Sequence, residues 1–93
     1  MNTLTAPDLR ETSNTYAHQV HRYGLLRVAR CRDGLQWLLQ VATENRPDVW
    51  RNEAYCISKE ALLREWSKRS GEEIPTALRD LPERIQRGST ETR

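Results

Sequence analysis

The stretch from Tyr23 to Ala42, YGLLRVARCRDGLQWLLQVA, decides the fold. Asp33-Gly34 sits at its centre, between two runs rich in Leu, Val and Trp. Asp-Gly is a favoured pair for a two-residue type I′ hairpin turn, in which both central residues need positive φ. A turn there makes paired residue numbers sum to 67. Arg30 then faces Trp37, Val28 faces Leu39 and Leu26 faces Val41, all on one side of the sheet. Cys31/Gln36, Ala29/Leu38, Arg27/Gln40 and Leu25/Ala42 share the other side. The first side is the more apolar and is expected to face the core. The second is mixed and is expected to face solvent.

Working outward, residues 43–49 read as a loop with Pro47 and Asp48 as turn formers. Trp50 to Ile57 reads as a third strand, with Trp50, Ala54 and Cys56 inward because Arg51 and Glu53 prefer water. Ser58 suits an N-cap and Glu60 the first turn of a helix over Lys59 to Ser70, which Gly71 stops. Leu62, Leu63 and Trp66 form its apolar stripe. Leu78, Leu81 and Ile85 recur at helical spacing after Pro75, a first-turn proline, and Pro82 breaks that helix. Residues 1–21 are polar and predict a flexible arm, residues 22–86 a single domain, and residues 87–93 a disordered tail. The expected fold is α+β: a three-stranded antiparallel sheet packed on one helix (βββα), with a short extra C-terminal helix.

Composition narrows the functional classes. Ninety-three residues leave room for one domain and none for a barrel or a doubly wound nucleotide fold. Leu, Val and Ile total 18 and Phe is missing, so three Trp and three Tyr must supply bulky core surface. A core this small makes a partner or a homodimer plausible. The net charge of +2 is far from the footprint of a strong nucleic-acid binder. No apolar run approaches a membrane span, and Met1–Pro7 lacks the basic and apolar regions of a secretory leader. These features predict a cytoplasmic protein with Cys31 and Cys56 as reduced thiols.

The chemistry of sites is sparse. His18, His21, Cys31 and Cys56 lack the paired Cys knuckles of a zinc centre, so no metal is expected. No nucleophile elbow and no Gly-rich phosphate loop is present, and the carboxylates pair with nearby basic residues. No catalytic residue and no cofactor are expected, and the chain reads as non-enzymatic. What remains is a set of interface anchors, since Trp, Tyr and Arg carry most binding hot spots. Trp50, Arg51, Tyr55 and Arg46 form one such group, and Asp33, Glu44, Asp48 and Glu53 add carboxylates that could meet a basic groove.

The organisation of residues 23–70, with the run Trp50 to Trp66, resembles the sheet-reading DNA-binding domains of plant ethylene-response factors and of tyrosine-integrase arms. That resemblance implies a DNA-binding face carrying Arg27, Gln40, Arg51 and Tyr55, as in a regulator or an excision accessory protein. In size and style the chain also resembles the compact inhibitors of phages and mobile elements, including anti-CRISPR proteins. That likeness implies an inhibitor that blocks a nucleic-acid-binding surface of a host complex by steric occupation, with a protein as its partner. The protein partner is the favoured expectation and the DNA reader the alternative.

Overall fold

The computed structural model describes residues 8–85. The expected tail over residues 87–93, and the first seven residues of the expected arm, lie outside them. The class is α+β with an antiparallel sheet, but the sheet has four strands where three are expected. They are β1 (Gln19–Tyr23), β2 (Leu26–Arg30), β3 (Trp37–Val41) and β4 (Arg51–Cys56), followed by α1 (Lys59–Ser70) and α2 (Thr76–Arg79). The strands lie in chain order, a simple meander.

The β2–β3 pairing follows the expected register throughout, from Leu26 opposite Val41 to Arg30 opposite Trp37. The connection is longer than a two-residue turn. The Cys31 N–H donates to the Gln36 carbonyl at 2.9 Å, and the Gly34 N–H donates to the Cys31 carbonyl at 2.9 Å. The loop therefore holds residues 32–35, and only Gly34 takes positive φ (71°), while Asp33 does not. Lengthening the loop by one residue on each side leaves the register unchanged, so the sequence pattern survives the change of turn type.

The additional strand, β1, lies in the stretch expected to be a flexible arm. It joins β2 through a two-residue turn in which Gly24 takes φ 63° and Leu25 does not, the pattern of a II′ turn with Gly first. Its alternation is obscured by a bulge: Gln19 faces Ala29, His21 faces Val28, and Val20 is the extra residue. His21 consequently meets the Trp66 ring edge-on, with centroids 5.6 Å apart.

A second bulge sits in β4. Leu39 faces Ala54 but Gln40 faces Asn52, so Glu53 is the extra residue. The inward set expected for this strand is thereby split. Cys56 is buried and Ala54 packs against the same core, whereas Trp50 turns to the opposite face of the sheet.

Helix α1 spans the expected residues. The Ser58 side chain accepts from the Ala61 N–H, and Gly71 ends the helix at φ 67° with its N–H on the Ser67 carbonyl. Leu62 and Trp66 pack with Val28, Leu39, Cys56 and Leu78 into the main core. The second helix is a single turn; Pro75 caps it from outside rather than lying in its first turn. Residues 8–18 cover the other sheet face, so the molecule has three layers: a strap, the sheet and the helices.

Gly34→Val tests the hairpin. The residue would face positive φ, and its Cβ would lie 3.1 Å from the Arg30 guanidinium. A loss of about 1–2 kcal/mol is expected in urea unfolding; a variant as stable as the parent would show that the loop relaxes into another turn.

Candidate interaction surface

The sheet face expected to meet solvent is sealed. Arg27 and Gln40, which face each other across β2 and β3, are both fully buried, as are Ala29 and Leu38. Polar side chains leave water only if hydrogen bonds replace it. Arg27 Nε donates to Gln40 Oε1 at 2.6 Å, and Arg27 Nη2 donates to the Glu11 carbonyl at 3.0 Å. Gln40 Nε2 donates to that same carbonyl at 2.9 Å and to Asn52 Oδ1 at 2.8 Å. The guanidinium also lies 4.4 Å from the centroid of the Trp50 ring. Burial, reinforced by the Arg22 cation, lowers the Arg27 pKa. Its Nη1 has no partner among the described residues.

The strap supplies the cover. Trp50 donates its backbone N–H to the Thr12 carbonyl at 2.9 Å and its ring N–H to Asn14 Oδ1 at 3.1 Å. The same Asn14 oxygen accepts from Arg22 Nη1 at 3.1 Å. Tyr16 is buried and donates its hydroxyl to the Arg30 carbonyl at 2.6 Å; burial pushes its pKa up to about 12. Glu11 accepts the Arg32 N–H with its carboxylate at 2.7 Å. Asp8 holds the strap's own turn, accepting from Arg10, Ser13 and Thr15. Those bonds, Arg10 first, hold its carboxyl below the usual carboxylate range.

Sequence reasoning missed Glu11, Asn14 and Tyr16. One signal was available: Tyr16 is an aromatic in an otherwise polar segment. A backbone carbonyl such as that of Glu11 carries no side-chain signature at all.

This burial corrects two expectations. Arg27 and Gln40, half of the expected DNA-reading set, have no access to a groove or a phosphate. Trp50, expected as a partly exposed anchor, is 1% exposed and serves as packing for two arginines.

The other expected residues are exposed, though not all together. Arg51 and Glu53 pair on β4 at 3.0 Å, an exposed contact of small energetic weight. Tyr55 is 59% exposed, and Asn52 Nδ2 donates to its hydroxyl at 3.4 Å. Glu44, Arg46 and Asp48 lie in the loop before β4. Asp33 lies beyond the opposite end of β3, at the hairpin tip. Ile57, not singled out in the sequence, is 54% exposed and one strand step from Tyr55. A shallow groove of about 590 Å³ opens beside Arg51, lined by Tyr23, Leu26, Val41 and Arg69.

The histidines and cysteines are dispersed. Cys31 closes the hairpin loop and accepts the Leu35 N–H, while Cys56 lies in the main core, where burial pushes its thiol pKa up. Both are free thiols. No group of three or more His, Cys, Asp or Glu is placed to hold a metal ion among the described residues. Among those residues no helix is long and apolar enough to cross a membrane.

No protein-family model, curated protein or solved structure matches this chain.

Trp50→Ala removes the ring that packs on Arg27 and Arg22. A loss of about 3–5 kcal/mol is expected in denaturant unfolding; unchanged stability would show that the strap closes over the gap. Asp8 sets an acid response. Its pKa is lower in the folded chain than the ordinary 3.8, so its contribution is present above that pH and is lost as pH falls below it. Below pH ~4, the protection factor of the Ala17 amide, bonded to the Asp8 carbonyl, should fall in the parent chain. Asp8→Asn should show a low protection factor already at neutral pH and little further change in it on acidification.

Proposed function

We propose that this protein is a small non-enzymatic protein-binding module that engages its partner through β4. The observation that carries the reading is the pair of large apolar side chains there. Tyr55 and Ile57 stand more than half exposed, while their neighbour Cys56 is buried. Tyr is enriched among interface hot spots. Glu44, Arg46 and Asp48 are exposed in the loop before the other end of the strand.

The mode of action in this reading is steric inhibition of the kind used by phage and mobile-element proteins, including anti-CRISPR proteins. The target is a host complex whose nucleic-acid-binding surface is covered. The setting is the cytoplasm, which suits two free thiols. The DNA-reading alternative is weakened because Arg27 and Gln40 lie inside the protein.

The test is affinity capture from a host lysate with the parent chain and with a Tyr55→Ala, Ile57→Ser double variant. The parent should retain a nucleic-acid-binding complex and reduce that complex's affinity for its nucleic acid. The double variant should lose capture by at least about tenfold, equivalent to ~1.4 kcal/mol, with an unchanged melting temperature. Binding to naked duplex that falls steeply with salt would favour the DNA reader instead. A melting temperature that rises with protein concentration, with no other ligand, would favour a homodimer.

A further inference from the structure

We propose that the groove between the C-terminal end of α1 and the sheet binds a small aliphatic monocarboxylate, a free medium-chain fatty acid, with its alkyl chain on Leu26 and Val41 and its head group on Arg51 and Arg69.

The groove divides its lining by chemistry. Its volume of about 590 Å³ lies in the range of small-molecule sites, roughly 300–1,000 Å³. The part contributed by the first three strands is aliphatic or aromatic. Leu26 and Val41, opposite each other on β2 and β3, belong to the margin of the main core. Leu25, Ala42 and the half-exposed Tyr23 carry that surface outward. The charged side chains come from the other elements, Arg51 and Glu53 from β4 and Arg69 from α1. An alkyl chain laid on the first part leaves water, while a polar head remains beside the second.

Charge sets the sign of that head. Arg51 Nε donates to Glu53 at 3.0 Å, and Arg69 Nη1 donates to Glu65. Among the described residues, no other acceptor takes the remaining N–H groups of either guanidinium. Glu65 is shared, because Lys68 lies 3.6 Å from its other oxygen. These ion pairs therefore hold three cations, Arg51, Lys68 and Arg69, against two carboxylates, an excess of one positive charge. The terminal carbonyls of α1 offset about half an elementary charge, so the balance stays positive and suits a monoanion. Guanidinium forks match the two oxygens of a carboxylate.

The main chain along the apolar part is already paired, which favours a free carboxylate over a peptide. The Ala42 N–H donates to the Leu25 carbonyl at 2.9 Å, and the Gly24 carbonyl accepts from Arg22 Nε at 3.0 Å. Tyr23 faces Leu26, Leu26 faces Val41 and Val41 faces Arg51 in the ladders. Peptide amides laid on this surface would lose water without gaining partners, a cost that an alkyl chain does not carry. The groove lies at the start of β4, whereas Tyr55 and Ile57 lie at its other end, so the inference does not rest on the partner-binding reading.

An NMR titration of the full chain with sodium octanoate, kept below its micelle concentration, tests the site. The amide resonances of Leu26, Val41 and Ala42 and the Nε–H resonances of Arg51 and Arg69 should shift, while the Ala29 amide, under the strap, should not. Octanamide, a neutral analogue of the same length, should bind at least about tenfold more weakly, and acetate should move these resonances far less. Arg51→Gln and Arg69→Gln should each weaken octanoate binding by at least about threefold with an unchanged melting temperature. The octanamide comparison uses the parent chain, so it stands if a variant loses its fold. No shift at low-millimolar octanoate, equal binding of octanoate and octanamide, or shifts scattered over the whole surface overturns the proposal. A short peptide ending in a leucine carboxylate that binds more tightly than octanoate also overturns it, by assigning the groove to a protein C-terminus.

Discussion

Arg27 imposes the constraint on which the rest of the molecule depends. It sits in the middle of a central strand with its guanidinium withdrawn from water. A cation in that position needs acceptors and a polarisable surface, because an unmet buried charge costs several kcal/mol. Gln40 meets one side from the neighbouring strand, the Glu11 carbonyl meets another from the strap, and the Trp50 ring covers the flank. Each provider comes from a different part of the chain. Satisfying one side chain therefore docks residues 8–18, orders the start of β4 and closes the sheet on the face away from the helices.

The two bulges distribute side chains between buried and exposed surfaces. An extra residue in a strand reverses the parity of everything beyond it. In β1 the extra Val20 lets His21 reach Trp66 while Gln19 stays on the strap side, where its side-chain amide donates to the Asn14 and Tyr16 carbonyls. In β4 the extra Glu53 lets Trp50 serve the strap layer while Cys56 serves the helix layer. Alternation with the buried Cys56 leaves Tyr55 and Ile57 exposed. The candidate interaction surface is thus a by-product of how the sheet divides its large side chains between two covering layers.

Much of the architecture was legible in local patterns. The β2–β3 register, the helix from Lys59 to Ser70 and its two caps followed from alternation, helical spacing and the chemistry of Ser58 and Gly71. The candidate surface was legible in part: Arg51 and Tyr55 are exposed as their types suggested, but Trp50 is not. The failures share a cause. Gln19–Tyr23 contains one aliphatic residue and a bulge, so no alternation marks it as a strand. The strap is held largely by backbone carbonyls and by Asn14, and neither Arg27 nor Gln40 announces that a distant carbonyl will bury it.

The amino-acid sequence by itself determined the register of β2 on β3, the caps of α1 and the apolar face of that hairpin, because each depends on residues close together in the chain. Which polar groups are sealed and which aromatics are available to another molecule was decided only by the tertiary structure. A buried arginine is tolerable only where acceptors from remote segments converge on it, and that convergence exists only once the strap, the sheet and the bulged edge strand have come together.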